Sequence, residues 1–293
     1  MNKEKGGESN STASKSEKNN GEFKRGIKNP KFIDALNVLY ADKTSFWYKM
    51  VNNPQLYIAI RDNYINVYYK GQSLCKLTYR SDGKIKGETN HKYIDKTFPG
   101  KTINSYNGLI GGTQHITSLD QVEDLINNAE EYVLKEKESS YDCILSNKSI
   151  LDVEITFNAT NEIKRSSIDY LEATIKQGKL VLNFYEAKHC SNAEIVSRTE
   201  PKVFEQLDRY EKYLISQEAN IQSSYKLVCN NILDLNLSER FPLAQTVLED
   251  NLSLVVNRLP YLIIFGESRN SDWNKHVAKL RTRLHDRLIL KEN

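Results

Sequence analysis

The sequence predicts a mixed α/β fold: a short α+β module, then a larger half whose elements run α-β-β-β-α-β. Three features predict it. Two-residue alternation of apolar and polar side chains recurs over 150–157, 168–176 and 179–189, the period of a half-buried strand. Apolar residues at helical spacing bracket these strands, over 118–138 and 201–216. Gln177-Gly178 separates the second strand from the third by only two residues, which is hairpin spacing.

In chain order, residues 1–22 are rich in Lys, Glu, Asn, Ser and Gly and have no large apolar residue after Met1, so they are expected to be a disordered tail. Residues 23–115 form the first module. Helical patterns cover 31–41 and 44–52, and strand patterns cover 55–61, 64–70 and 73–79, joined by short turns. Its many tyrosines (57, 64, 68, 69, 79) suit strand packing better than base stacking, and no acid/base cluster is evident. Gly108-Leu-Ile-Gly-Gly112 lacks the Lys-Ser/Thr of a phosphate loop and is read as a flexible connection. The boundary falls near 116.

The second half, 116–293, opens with a helix at Ser118, where Ser118 and Gln121 make a capping box. Leu119, Val122, Leu125, Ile126, Ala129 and Val133 give it one apolar face to about 138. After the three strands, Pro201 fits the first turn of a helix over 201–216. Apolar runs then suggest strands at 225–229 and 259–266, and a last helix spans 271–290.

Net charge is +3, and residues 1–30, with seven Lys/Arg against four Glu, account for all of it. The rest is near neutral, so any basic surface must be local. The four cysteines, Cys75, Cys143, Cys190 and Cys229, lie more than thirty residues apart, which excludes a CxxC-type zinc site and suits reduced thiols in a cytoplasm. No secretory leader is legible at the charged N-terminus, and the longest apolar run, 259–265, is far short of the roughly 20 residues that span a bilayer.

The chemistry concentrates in 168–189. A turn at Gln177-Gly178 sets Ile175 opposite Leu180, Ala173 opposite Leu182, Leu171 opposite Phe184 and Asp169 opposite Glu186. Lys188 shares that face. An apolar surface thus ends in two acids and an amine, groups that are costly to bury without a use or a partner. Two facing carboxylates repel unless a cation lies between them. Mg²⁺ suits the place because it takes hard oxygen ligands and keeps several waters.

Asp169 followed by Glu186-Ala187-Lys188 resembles the D…(D/E)xK signature of the PD-(D/E)XK nuclease superfamily. Gln206-Leu-Asp-Arg-Tyr210, on the next helix, resembles the QxxxY motif of several of its branches. The resemblance covers roughly 118–230 and departs from the pattern at Ile168, where proline is common. It implies a restriction-endonuclease-like core and Mg²⁺-dependent cleavage of phosphodiester bonds, most naturally of DNA with RNA open, Mn²⁺ able to substitute, in restriction, repair or phage defence. On it, Asp169 and Glu186 hold the metal, Lys188 assists the water or the transition state, and Gln206 and Tyr210 support the site. A first-helix glutamate joins the metal shell, with Glu136 favoured over Glu131 and Glu138. A homodimer, or a protein partner bound through the first module, is left open.

Other residues have plainer readings. Asp152 and Glu154 alternate with Leu151, Val153, Ile155 and Phe157, which places them towards solvent with an accessory role open. His189 points away from the trio. Lys279, Arg281, Arg283 and Arg287 on the last helix are a solvated face or, alternatively, a surface tracking nucleic-acid phosphates. Two rival functions remain: a catalytically inactive nuclease-fold protein that binds nucleic acid or protein, and a two-carboxylate sugar hydrolase, which the lysine beside Glu186 disfavours.

Overall fold

A computed structural model describes residues 21–90, 93, 102–103, 119–133, 135–159, 163–197 and 199–291. Residues 1–20 of the expected 1–22 tail, the glycine connection at 108–112, the boundary near 116 and the Ser118 cap lie outside these residues, while Gly21, at the tail's expected end, is buried and accepts from Tyr213 OH.

The first half begins with α1 (Pro30–Ala41), capped by Asn29, whose side chain accepts from the Lys31 N–H at 3.1 Å. Ser45 caps α2 (Phe46–Asn52) in the same way, accepting from Tyr48 N at 3.1 Å. Then follow β1 (Leu56–Ile60), β2 (Tyr64–Tyr69), β3 (Gln72–Tyr79), β4 (Ile85–Asn90) and β5 (Thr102–Ile103), an antiparallel sheet in chain order. The three expected strands are β1 to β3. β4 was not foreseen because Ile85-Lys-Gly-Glu-Thr-Asn90 has a single apolar residue to mark it.

The second half corrects several expectations. The helix expected over 118–138 is two helices, α3 (Leu119–Glu130) and α4 (Lys135–Ser146). The last turn of α3 closes on short-range bonds, Tyr132 N to Ala129 O and Val133 N to Glu130 O. The polar run 135–140 cannot extend the apolar face, and a new one begins at Tyr141 and Ile144, both buried. Strands β6 (Ile150–Phe157), β7 (Ser166–Lys176) and β8 (Lys179–His189) are antiparallel neighbours as expected. Helix α5 (Val203–Ser216) is also as expected.

The strand expected at 225–229 is instead part of α6 (Glu218–Asp234). Ile221, Tyr225, Val228, Cys229 and Ile232 are all buried at helical spacing, a period that a five-residue window cannot reveal. Helix α7 (Pro242–Glu249) follows, then β9 (Ser253–Val256) and β10 (Tyr261–Phe265), which run parallel to the two halves of β8. The last helix, α8 (Trp273–Leu284), ends well before 290. His285 turns the chain at φ 52°, and β11 (Leu288–Lys291) pairs parallel with β10. The second sheet runs β11-β10-β8-β7-β6, with β9 beside β10 on β8. The chain is therefore mixed α/β, with two sheets among the described residues.

One face of β7 and β8 carries Leu171, Ala173, Leu182 and Phe184, all fully buried. Beneath α5, Phe157 stacks on Tyr213 at 4.3 Å, meets Tyr210 edge to face and packs at a tilt against Phe184. On the other face Tyr170, Tyr185 and Tyr261 stack in a row across three strands, 4.8 Å apart.

Asp152 reverses the solvent-facing expectation. It is 1 % exposed and accepts from Arg25 Nε at 3.1 Å, from Tyr225 OH at 2.8 Å and from Arg61 Nη1. Alternation along β6 identifies one apolar face. It gives no sign that a distant strand and the segment before α1 cover the other.

Candidate active site

The two-residue turn works as the sequence requires. Gln177 and Gly178 have φ of 50° and 69°, and both central residues of a type I′ hairpin need positive φ. The resulting ladder pairs Ile175 with Leu180, Ala173 with Leu182, Leu171 with Phe184 and Tyr170 with Tyr185. It delivers Asp169 to the backbone beside Glu186, where Asp169 Oδ2 accepts from Ala187 N at 2.7 Å. Lys188, two residues on, places its Nζ 2.8 Å from Glu186 Oε1. Asp169, Glu186 and Lys188 are thus brought together.

Helix α5 completes the cluster. Gln206 and Tyr210 are one turn apart, so both reach the same carboxylate. Gln206 Nε2 donates to Glu186 Oε1 at 2.9 Å and lies 2.6 Å from Tyr210 OH. Tyr210 OH lies 3.0 Å from Glu186 Oε2 and also against Ser167 O, and its one proton serves one of these acceptors at a time. The amide oxygen of the Gln206 side chain, Oε1, is buried with no hydrogen-bond partner.

Burial, then the facing Glu186 charge, lift the Asp169 carboxyl well above the usual range, while the Ala187 N–H draws it back. Glu186 is 3 % exposed, and burial raises it against the opposing pull of Lys188 and Tyr210. Burial works against the Lys188 charge, but Glu186 and Glu194 outweigh it and hold the ammonium above its ordinary value. Lys188 is therefore a standing cation and donor at neutral pH.

Two residues outside the recognised motifs reach the site. Glu194 Oε2 lies 2.7 Å from Lys188 Nζ. Its backbone is pinned by Glu194 N to Asn192 Oδ1 at 2.9 Å and Val203 N to Glu194 O at 3.2 Å. A glutamate in an irregular connection carries no periodic signal, so nothing in the sequence marked it. Glu154, for which an accessory role was left open, contributes its charge to the rise at Asp169 and sits at φ 49° in β6.

Other candidates are placed elsewhere. Glu136 falls on α4, but its side chain lies outside the described residues. Glu131 is exposed, and Glu138 pairs with Lys70, in the turn between β2 and β3, at 2.9 Å. His189 Nδ1 contacts Ser191 Oγ at 2.7 Å. Of the basic residues near the C-terminus, Arg283 pairs with Glu200 and Asp208 and stacks on Phe204. Lys279 donates to Thr199 O at 3.2 Å, and Arg281 is exposed. Arg287 lies past the end of α8 and donates to Pro260 O at 3.2 Å. The contacts of Lys279 and Arg283 fasten α8 to its neighbours, and none of these contacts joins Asp169 or Glu186.

The donor set fits a hard divalent ion. Two carboxylates, both pushed up by burial, one of them also by the other's charge, and a partnerless amide oxygen beside Glu186 are oxygen ligands of the kind Mg²⁺ accepts. Among the described residues no group of three or more His, Cys, Asp or Glu gathers to hold a metal, so this is not an all-protein cage. Mg²⁺ bound by one or two carboxylates and water does not need one.

No family model, curated protein or solved structure matches this chain. Among the described residues, no helix is long and apolar enough to cross a membrane.

Proposed function

We propose that this protein is a Mg²⁺-dependent nuclease of the PD-(D/E)XK kind that hydrolyses phosphodiester bonds in DNA. The observation that carries this reading is the convergence of Asp169, Glu186 and Lys188 at one end of the β7–β8 hairpin, with Gln206 and Tyr210 bonded to Glu186 from α5.

Asp169 and Glu186 would hold the ion. When bound, Mg²⁺ polarises a phosphoryl oxygen and makes a ligand water more acidic. The chain's own groups then have distinct tasks. Gln206 and Tyr210 fix the orientation of the Glu186 carboxylate. Lys188 is held as an ammonium, so it acts as a hydrogen-bond donor and positive charge towards the phosphate or the attacking water, and not as the base that deprotonates it. Glu194, 2.7 Å from Lys188 Nζ, helps hold that ammonium in place.

The test is cleavage of plasmid, linear duplex, single-stranded DNA and RNA by the purified full chain. Expected is cutting of DNA that needs Mg²⁺ or Mn²⁺, stops in EDTA and falls by about 10²–10⁴-fold in D169N, E186Q and K188A. Cleavage that persists in EDTA and in all three variants overturns the reading. DNA retention with neither cutting nor metal binding would assign the same cluster to a binding module.

A further inference from the structure

We infer that the cavity around Arg240 is a binding site for a small organic anion, a phosphate or carboxylate attached to a flat apolar body. This goes beyond the nuclease reading and does not depend on it.

Arg240 is half-buried behind α2, and its guanidinium donates to three backbone carbonyls: Asn53 O at 3.1 Å, Val51 O and Leu56 O. Among the described residues no carboxylate lies within ion-pairing distance of it. Four other arginines of the fold do have one: Arg25 and Arg61 have Asp152, Arg258 has Glu218, and Arg283 has Glu200 and Asp208, whereas Arg287, like Arg240, is held by a backbone carbonyl. The carbonyls at the end of α2 supply partial negative charge, which offsets but does not cancel a full positive one. Burial accordingly draws Arg240 below the ordinary arginine value. A charge removed from water without a counterion is expensive, and a bound anion would relieve that cost.

The space for an anion is present. A cavity of about 280 Å³ opens against Arg240, just below the roughly 300–1,000 Å³ typical of ligand pockets. Lys148 and Glu239 also line it, and together with Arg240 leave one net positive charge. Its apolar lining joins Tyr40, Tyr57 and Phe241, the last two edge to face at 5.6 Å, to aliphatic side chains such as Ile144 and Leu145. Such a lining suits the face of a flat ring. A planar guanidinium with spare N–H groups suits the two oxygens of a phosphate or carboxylate. This volume and lining favour a molecule about the size of phenyl phosphate over a polymer.

Titration calorimetry of the full chain with phenyl phosphate tests this, with benzoate, inorganic phosphate and phenol as comparison arms. Expected is saturable binding of phenyl phosphate with a Kd below about 1 mM, and phenol at least about tenfold weaker, because it lacks the charge that Arg240 and Lys148 would meet. Binding of benzoate shows that either oxyanion satisfies the site, and weaker binding of inorganic phosphate shows that the ring contributes. K148A, at an exposed position, is expected to keep the fold and weaken phenyl phosphate severalfold. R240K keeps the charge but loses the planar fork and is expected to weaken it further, with circular dichroism reporting that the protein remains folded. Absence of saturable binding up to about 10 mM ligand, phenol binding as tight as phenyl phosphate, or affinity unchanged in both variants would each overturn the inference and leave Arg240 as a cap for α2 alone.

Discussion

Asp169 and Glu186 are residues whose ionised forms the metal-free fold resists. Their carboxyls lie above the unfolded values of about 4, with burial the first cause in both cases. The fold therefore favours their protonated forms. The stability this contributes is fully present below the unfolded value and is lost as pH rises through the unfolded and then the folded value. In EDTA, the melting temperature of the wild type should fall, relative to D169N, as pH is raised from about 4 towards 8. Mg²⁺ should recover more of that loss in the wild type than in D169N. Thermal melts of both proteins with and without Mg²⁺ check this, and parallel pH curves with equal Mg²⁺ effects would show that the pair is neither strained nor metal-binding. The trio itself was legible because it lies on one hairpin, where alternation and turn length fix which residues meet. Glu194 and the true setting of Asp152 were not. The first depends on an irregular connection, and the second on arginines 127 and 91 positions away in sequence.

Among the elements, the hairpin turn that sets the register is held by backbone conformation alone. A Cβ on Gly178 meets nothing within 4 Å, so G178A should cost only the left-handed penalty of about 1–2 kcal/mol, and G178N less, because asparagine tolerates that region better. Gly26 differs. It has φ +99°, and a Cβ there would lie 2.5 Å from the Leu227 side chain, so G26A adds a collision to the backbone strain and should be the more damaging change. Urea denaturation that ranks G178A as costly as G26A would refute this division. Local chemistry of this kind explains why β6, β7, β8 and α5 could be read from the sequence: each has a clear period and a clear punctuation. Helix α6 was misread because only part of its apolar face fell in a strand-like run. The end of α8 was misread because Leu288-Ile-Leu290 continues a helical pattern while its partner, β10, is supplied only by the tertiary fold.

At the scale of the whole molecule, the two sheets share one hydrophobic core, fastened by the segment before α1. Tyr213 OH donates to Gly21 O at 2.9 Å, and Phe23 packs on Phe157 and Tyr225. Ile27 exchanges hydrogen bonds with the Asn231 side chain at 2.7 and 3.1 Å. Asp152 lies at the centre, joining Arg25 of this segment, Arg61 at the end of β1, Tyr225 of α6 and its own strand β6. Its removal would leave two buried guanidinium groups without their shared carboxylate, a loss of about 3–5 kcal/mol by the usual cost of breaking a buried pair. Because both halves contribute to the cluster, that loss should fall on both together. The protein has two tryptophans, Trp47 buried in the first half and Trp273 in the second. In W273F, fluorescence reports the first half through Trp47, while far-UV circular dichroism follows the whole chain. In urea, the two signals should give one midpoint, and D152A should lower it equally for both. Separate midpoints, or a shift confined to one signal, would mean that the halves are stabilised independently and that Asp152 does not join them.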